Sequence, residues 1–172
     1  MKPRKKYRPR PVHANAVEIA INGARKLSYQ DVERQRGIVC HALIEFTAGR
    51  DCAQHWRSLA DTANMAETFV GMGICSGTQA EEVVERAQAA LAAVQQRHAA
   101  RGTWTLYGAE IDALQWLAAL HLKQLAECSY AEFERAFHTT RERIAQAIAG
   151  NAPKGAVVIR GDIAARVVEA VE

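Results

Sequence analysis

The chain has 172 residues, of which 49% are apolar, and a formal net charge of +3. This length suits one globular domain whose hydrophobic core needs no metal ion or disulfide for stability. No apolar run approaches the roughly 18 residues of a membrane-spanning helix, and polar residues follow the charged opening where a signal peptide would be apolar. We therefore expect a cytoplasmic protein that has no membrane partner.

The positive charge is concentrated at the start of the sequence. Six of the 22 basic residues lie among the first ten residues, which leaves 16 basic against 19 acidic residues in the remaining chain. Three prolines alternate with these cations, a composition that favours an extended, polyproline-like backbone. We therefore predict a basic extended arm at residues 1–12, a helical domain at residues 13–150 and a C-terminal extension at residues 151–172.

Capping residues and glycines divide the domain into helices. Asn15 is predicted to cap a short helix that ends near Leu27. Ser28, with Asp31 three residues later, is predicted to open the first long helix, and Gly49 is predicted to end it.

The second long helix is predicted from apolar residues that recur at spacings of four and three between Cys52 and Val70. This spacing predicts a narrow apolar seam, and the short connection before it predicts an antiparallel hairpin with the first long helix. Thr78 with Glu81 has the pattern of a capping box, which predicts the start of a third long helix that ends at Gly102.

Residues 111–128 are apolar on almost every side, which predicts a helix at the centre of the bundle. Its apolar residues are Ile111, Leu114, Trp116, Leu117, Leu120, Leu122 and Leu125. Another capping box, Ser129 with Glu132, predicts a last helix that ends at Gly150. The predicted fold is an all-α, mostly antiparallel bundle of five or six helices. The extension after it is predicted as a short extended piece followed by a helix, with a hairpin as the alternative.

Four residues near the predicted hairpin are zinc-ligand types: Cys40, His41, Cys52 and His55. Measured from the hairpin turn, Cys40 lies about nine residues back and Cys52 about three residues forward, which separates them by about 9 Å along the helix axes. This separation argues against a zinc site, and we predict no metal. The four cysteines are scattered without a CxxC pair and are expected to be reduced.

Catalytic chemistry has few candidates. Asp51 and His55 have the spacing of an acid–base pair on one helix face, and His121 lies within the apolar helix. Such residues are more common on solvated faces or in hydrogen-bonded cores. The sequence contains no nucleophile elbow, phosphate-binding loop, dinucleotide-binding motif or HExxH motif. We therefore predict no catalytic residue and no cofactor.

A connector before the apolar helix concentrates large apolar residues, namely Trp104, Leu106 and Tyr107. They are predicted to close one end of the bundle; the alternative is an anchor patch that binds a partner protein.

Four stretches, KPRKKYRPRPV, FTAGRD, LADTANMAET and GMGI, together resemble a set of small proteins from phages and prophages of proteobacteria. The resemblance covers roughly residues 1–75 and part of residues 111–128, and the sequence from Lys154 onward departs from it. Because that set has no assigned activity, the resemblance implies only a phage-derived protein made in a bacterial cytoplasm.

Two functions are expected from these observations. In the first, a non-enzymatic accessory protein binds the phosphates of DNA or RNA through its arm, without strong sequence preference, and an aromatic ring in the arm stacks on a base or sugar. The residues of this predicted site are Lys2, Arg4, Lys5, Lys6, Tyr7, Arg8 and Arg10. The alternative is a protein–protein interaction module, either a host-factor inhibitor or a virion-associated component, that binds through a helical face.

Apolar residues outside the predicted stripes favour self-association. Ile38, Ala42, Phe69 and Met72 lie off those stripes, which indicates more apolar surface than one internal contact per helix needs. A homodimer is therefore predicted.

Overall fold

The computed structural model describes residues 16–151, which form six helices and no β-strand. The helices are α1 (Ala16–Ala24), α2 (Tyr29–Thr47), α3 (Cys52–Gly71), α4 (Thr78–Arg101), α5 (Gly108–Glu127) and α6 (Tyr130–Ile148). The predicted all-α bundle is confirmed. The predicted arm and the predicted conformation of the C-terminal extension fall outside the described residues. Within residues 16–151, no helix is long and apolar enough to cross a membrane.

Serine side chains cap two helices as the sequence predicts. At α2, the Ser28 hydroxyl accepts a hydrogen bond from the Asp31 N–H at 3.1 Å. At α6, the Ser129 hydroxyl accepts from the Glu132 N–H at 3.3 Å, and the Glu132 carboxylate accepts from the Ser129 N–H at 2.7 Å. The capping box at Ser129 is therefore confirmed, and it satisfies backbone donors that the first helical turn leaves unpaired.

Glycines end the long helices where the sequence predicts. Gly49, Gly102 and Gly150 have φ of 74°, 70° and 75°, in the left-handed region that disfavours residues with a Cβ. Each follows the last turn of its helix.

Three predicted helix boundaries differ from the structure by one to three residues. Helix α4 begins at Thr78 itself, and its N-cap is Gly77, which has φ of 127°, so the predicted capping box at Thr78 does not form. Helix α5 begins at Gly108, three residues earlier than predicted, because the Glu110 carboxylate accepts the Tyr107 N–H at 2.8 Å and caps the helix there. Helix α1 ends at Ala24 because the next residues pair with another segment.

The central helix is α3, which corrects the prediction that residues 111–128 lie at the centre. Helix α3 packs against α2, α4, α5 and α6, whereas α5 packs against α2, α3 and α4. On α5, Leu114 and Leu117 are fully buried, but Trp116 is 63% exposed. One face of α5 therefore lies at the surface.

Small and hydroxyl-bearing residues explain why α3 is so deeply buried. Its alanines allow close approach of neighbouring helices, and Ala60 and Ala63 have no exposed surface. The buried Thr62 and Thr68 hydroxyls donate to carbonyls one turn earlier in the same helix, at 2.9 and 3.0 Å. Buried polar side chains therefore have partners within α3, and the predicted narrow seam is instead a broad buried face.

Two hydrophobic clusters form the core. The first joins α2, α3, α4 and α5 and includes Trp56, whose indole N–H donates to the Leu91 carbonyl at 3.0 Å. The second joins α3, α5 and α6 and includes Phe69 and Cys128. Since Ala42 and Phe69 are buried within the chain, the apolar surplus behind the predicted homodimer is smaller than expected.

Candidate functional site

The cations and Tyr7 of the predicted nucleic-acid site lie outside the described residues, but the helix that follows them is anchored. The Tyr130 N–H donates to the Arg25 carbonyl at 2.7 Å, and Lys26 forms an isolated antiparallel bridge with Ser129. On α1, a Cβ added at Gly23 would lie 3.1 Å from the Ala131 Cβ, so the two helices approach closely there. Residues 22–26 are therefore held against the junction of α5 and α6.

Two of the three predicted partner-binding residues pack against the core. Trp104 stacks on His98 with ring centroids 4.0 Å apart, and its ring lies 5.9 Å from that of Trp56. Leu106 packs against the same hydrophobic cluster. These two side chains close the end of the bundle, as one of the two interpretations of the sequence predicts.

The third residue, Tyr107, is 53% exposed and lies beneath the Arg97 guanidinium, 4.1 Å from the ring centroid. Arg97 is held by Glu110 at 2.6 Å and by the Thr105 carbonyl, and both members of the ion pair are largely buried. The hydrogen bond that Arg97 donates to the Glu110 carboxylate raises the pKa of Arg97. The connector is therefore fixed to both α4 and α5, and partner binding by its residues stays a prediction.

The α2–α3 hairpin brings two histidines together. The His41 and His55 rings lie 5.3 Å apart and nearly perpendicular. Glu45 accepts two hydrogen bonds from Arg50, at 2.5 and 2.7 Å, which are the main cause of the lowered pKa of the Glu45 carboxyl. Within residues 16–151, no group of three or more histidine, cysteine or acidic side chains is arranged to hold a metal ion. The similar distances of His41 and His55 from the turn at Gly49 would have predicted this pair.

Asp51 and His55 lie one helical turn apart, with the His55 N–H donating to the Asp51 carbonyl at 3.2 Å, whereas His121 lies elsewhere in the fold. Asp51 is exposed and has φ of 39° at the start of α3. His121 is buried in the core, with its ring 6.0 Å from that of Phe69. Burial lowers the pKa of His121 to about 4, and the nearby Gln124 side chain opposes this shift. A neutral histidine in the core has no access to a substrate, so this geometry supports a structural role.

A concave surface lies between α4 and α5, and we call it the Trp116 groove. It consists of two adjoining cavities of about 510 and 480 Å³ that share Gln79, Val83 and Trp116. The exposed Trp116 therefore stands between two concavities, with apolar surface on both sides. Exposed tryptophans in such settings are frequent anchors of protein interfaces.

Charged residues surround the Trp116 groove. One cavity contains Asp112 and a Glu82–Arg86 ion pair of 3.2 Å, and the other contains Lys123. Among the described residues, no cation pairs with Asp112. The groove therefore combines an aromatic ring, apolar concavities and one unpaired carboxylate.

The apolar pattern of residues 111–128 predicts Trp116 in the core, which is wrong because the ring is 63% exposed. The position of Trp116 relative to the polar residues of α5 indicates its exposure. Trp116 lies four residues after Asp112 and next to Gln115, on the side of the helix that carries the polar residues. Comparisons with protein-family models, with curated proteins and with solved structures found no match for the chain.

Proposed function

We propose that the chain is a non-enzymatic accessory protein whose basic arm binds nucleic-acid phosphates without strong sequence preference. The observation that carries this proposal is the segregation of charge in the sequence. Six cations lie among the first ten residues, and the remaining chain has more acidic than basic residues. Such a distribution concentrates the attraction for polyanions in the arm.

The arm has the chemistry of a phosphate-binding segment. Its prolines favour an extended backbone, which spaces the cations, and Tyr7 offers a ring that stacks on any base. The acidic excess of the remaining chain repels a polyanion, so binding depends on the arm. Because phosphate contacts carry no sequence information, we expect weak discrimination between sequences.

A salt titration tests this proposal. If all six cations engage duplex phosphates, the logarithm of the binding constant should fall against the logarithm of salt concentration with a slope of about −5. A chain that lacks residues 1–12 should lose this binding. Equal affinity of the full and shortened chains, or a slope near zero, would contradict the proposal. DNA and RNA of the same sequence, compared side by side, identify the preferred nucleic acid.

A second candidate function is a protein–protein interaction module that acts through a helical face. The exposed Trp116 between two concavities favours it. In the phage-derived context that the sequence resemblance suggests, the partner would be a host factor or a virion component in a bacterial cytoplasm. A purified complex that survives removal of residues 1–12 but is lost in Trp116→Ala would support this function. A complex that is lost on removal of residues 1–12 and persists in Trp116→Ala would exclude it.

A further inference from the structure

We propose that the Trp116 groove binds the proline-rich basic arm, residues 1–12, of its own chain. Proline-rich segments commonly dock on exposed aromatic side chains that line shallow grooves. The groove offers such a surface in Trp116, which is 63% exposed. The arm offers Pro3, Pro9 and Pro11. This inference goes beyond phosphate binding and does not require that the arm binds nucleic acid.

The length of the groove matches an extended peptide. Along α5 its lining runs from Ala109 to Lys123, which corresponds to about 21 Å at 1.5 Å per helical residue. A polyproline segment advances about 3.1 Å per residue, so about seven residues fill the groove. The arm is long enough to do so.

The charges of the groove match those of the arm at one end. Asp112, which no described cation neutralises, lies in the cavity next to Trp116, where Glu82 is paired with Arg86. Lys123 lies in the other cavity and repels cations. The most cationic part of the arm, residues 2–6, should therefore lie near Asp112.

The chain path allows the arm to reach the groove in this direction. The Lys26 ammonium contacts the carbonyl of Glu127, and Glu127 lies about one helical turn after Lys123, at the end of the groove. Helix α1 has nine residues and spans about 14 Å. The 15 residues before it span up to about 50 Å when extended, so they can return along α1 and enter the groove at the Lys123 end.

Fluorine NMR of the intact protein tests the proposal without nucleic acid. The chain has three tryptophans, and incorporation of 5-fluorotryptophan gives one resonance for each, with Trp116→Phe identifying that of Trp116. Removal of residues 1–12 should shift the Trp116 resonance and leave those of Trp56 and Trp104 in place. The Trp116 resonance of the full chain should not shift when the protein is diluted. An identical Trp116 resonance in both chains, or a dilution-dependent shift that indicates an arm from a second copy, would overturn the proposal.

A peptide of residues 1–12, added to the shortened chain, provides a quantitative test. It should move the Trp116 resonance towards its position in the full chain. Trp116→Ala, followed by titration calorimetry, should weaken peptide binding by about tenfold or more. Asp112→Asn should weaken it about two- to fivefold, whereas the matched charge change Glu142→Gln, on an exposed site of α6, should have no effect. Equal peptide affinity for the shortened chain and its three variants would overturn the proposal.

Discussion

His121 shows how one residue in a helical core makes the stability of the protein depend on pH. The imidazole is buried beside Phe69, and burial lowers its pKa to about 4. In the unfolded chain the pKa of a histidine is about 6.5. Between these two values the unfolded state binds a proton that the folded state does not, so acidification favours unfolding.

The free energy of unfolding should therefore fall by about 3 kcal/mol, on account of His121 alone, as the pH decreases from 7 to 4. This contribution is fully present above pH 6.5 and is lost as the pH falls through the interval between the two pKa values. Urea denaturation of the parent and of His121→Gln at both pH values measures it, because carboxylates elsewhere affect both proteins equally. The parent should lose more stability on acidification than the variant.

His138, which is exposed on α6, provides the control. His138→Gln should retain the pH dependence of the parent. The same loss of stability on acidification in the parent and in His121→Gln would show that the folded state protonates His121 without cost.

At the scale of the helices, local chemistry was easier to predict than burial. Ser129 and Glu132 cap α6 through contacts within four residues, and such contacts can be read directly from the sequence. The deep burial of α3 cannot be read from the sequence in this way. Thr62 and Thr68 are polar residues, but their hydroxyls donate to carbonyls within their own helix. A helix with few large apolar residues thereby became the centre of the bundle.

The two capping patterns should differ in their contribution to stability. Ser129→Ala removes a hydroxyl that accepts a backbone N–H and should cost about 1 kcal/mol of unfolding free energy. Thr78→Ala should cost less than about 0.5 kcal/mol, because Gly77 occupies the cap position and Thr78 is exposed. Urea denaturation of both variants measures the difference. A larger loss in Thr78→Ala than in Ser129→Ala would contradict the observed helix starts.

Substitutions on the two faces of α5 should also differ in their effect on the free energy of unfolding. Leu117→Ala removes a fully buried side chain and should cost about 2–5 kcal/mol. Trp116→Ala, one residue earlier, should cost less than about 1 kcal/mol because the ring is mostly exposed. Thermal unfolding of the two variants compares them directly. A severe loss of stability in Trp116→Ala would mean that this ring belongs to the core, as the sequence pattern first indicated.

At the scale of the whole molecule, the sequence predicts the basic arm and the bundle but not the surface that lies between α4 and α5. The all-round apolar pattern of α5 hides which side remains open, since this depends on how many neighbours α5 has. The Trp116 groove becomes visible only when α4 and α5 are placed side by side. It connects the two parts of the molecule because its unpaired carboxylate, Asp112, has the charge that attracts the arm.

If the arm binds both phosphates and the Trp116 groove, the two ligands compete for it. Trp116→Ala should release the arm and tighten nucleic-acid binding about fivefold or more, the usual lower range of coupling between two sites. The slope of affinity against salt should stay that of the parent, because the phosphate contacts are unchanged. Ile44→Ala, which shortens another exposed apolar residue outside the groove, should have no effect. Fluorescence anisotropy with labelled DNA measures the DNA affinity of the parent and of both variants. Unchanged affinity in Trp116→Ala, with arm-dependent binding intact, would show that phosphates bind the arm without displacing it from the groove.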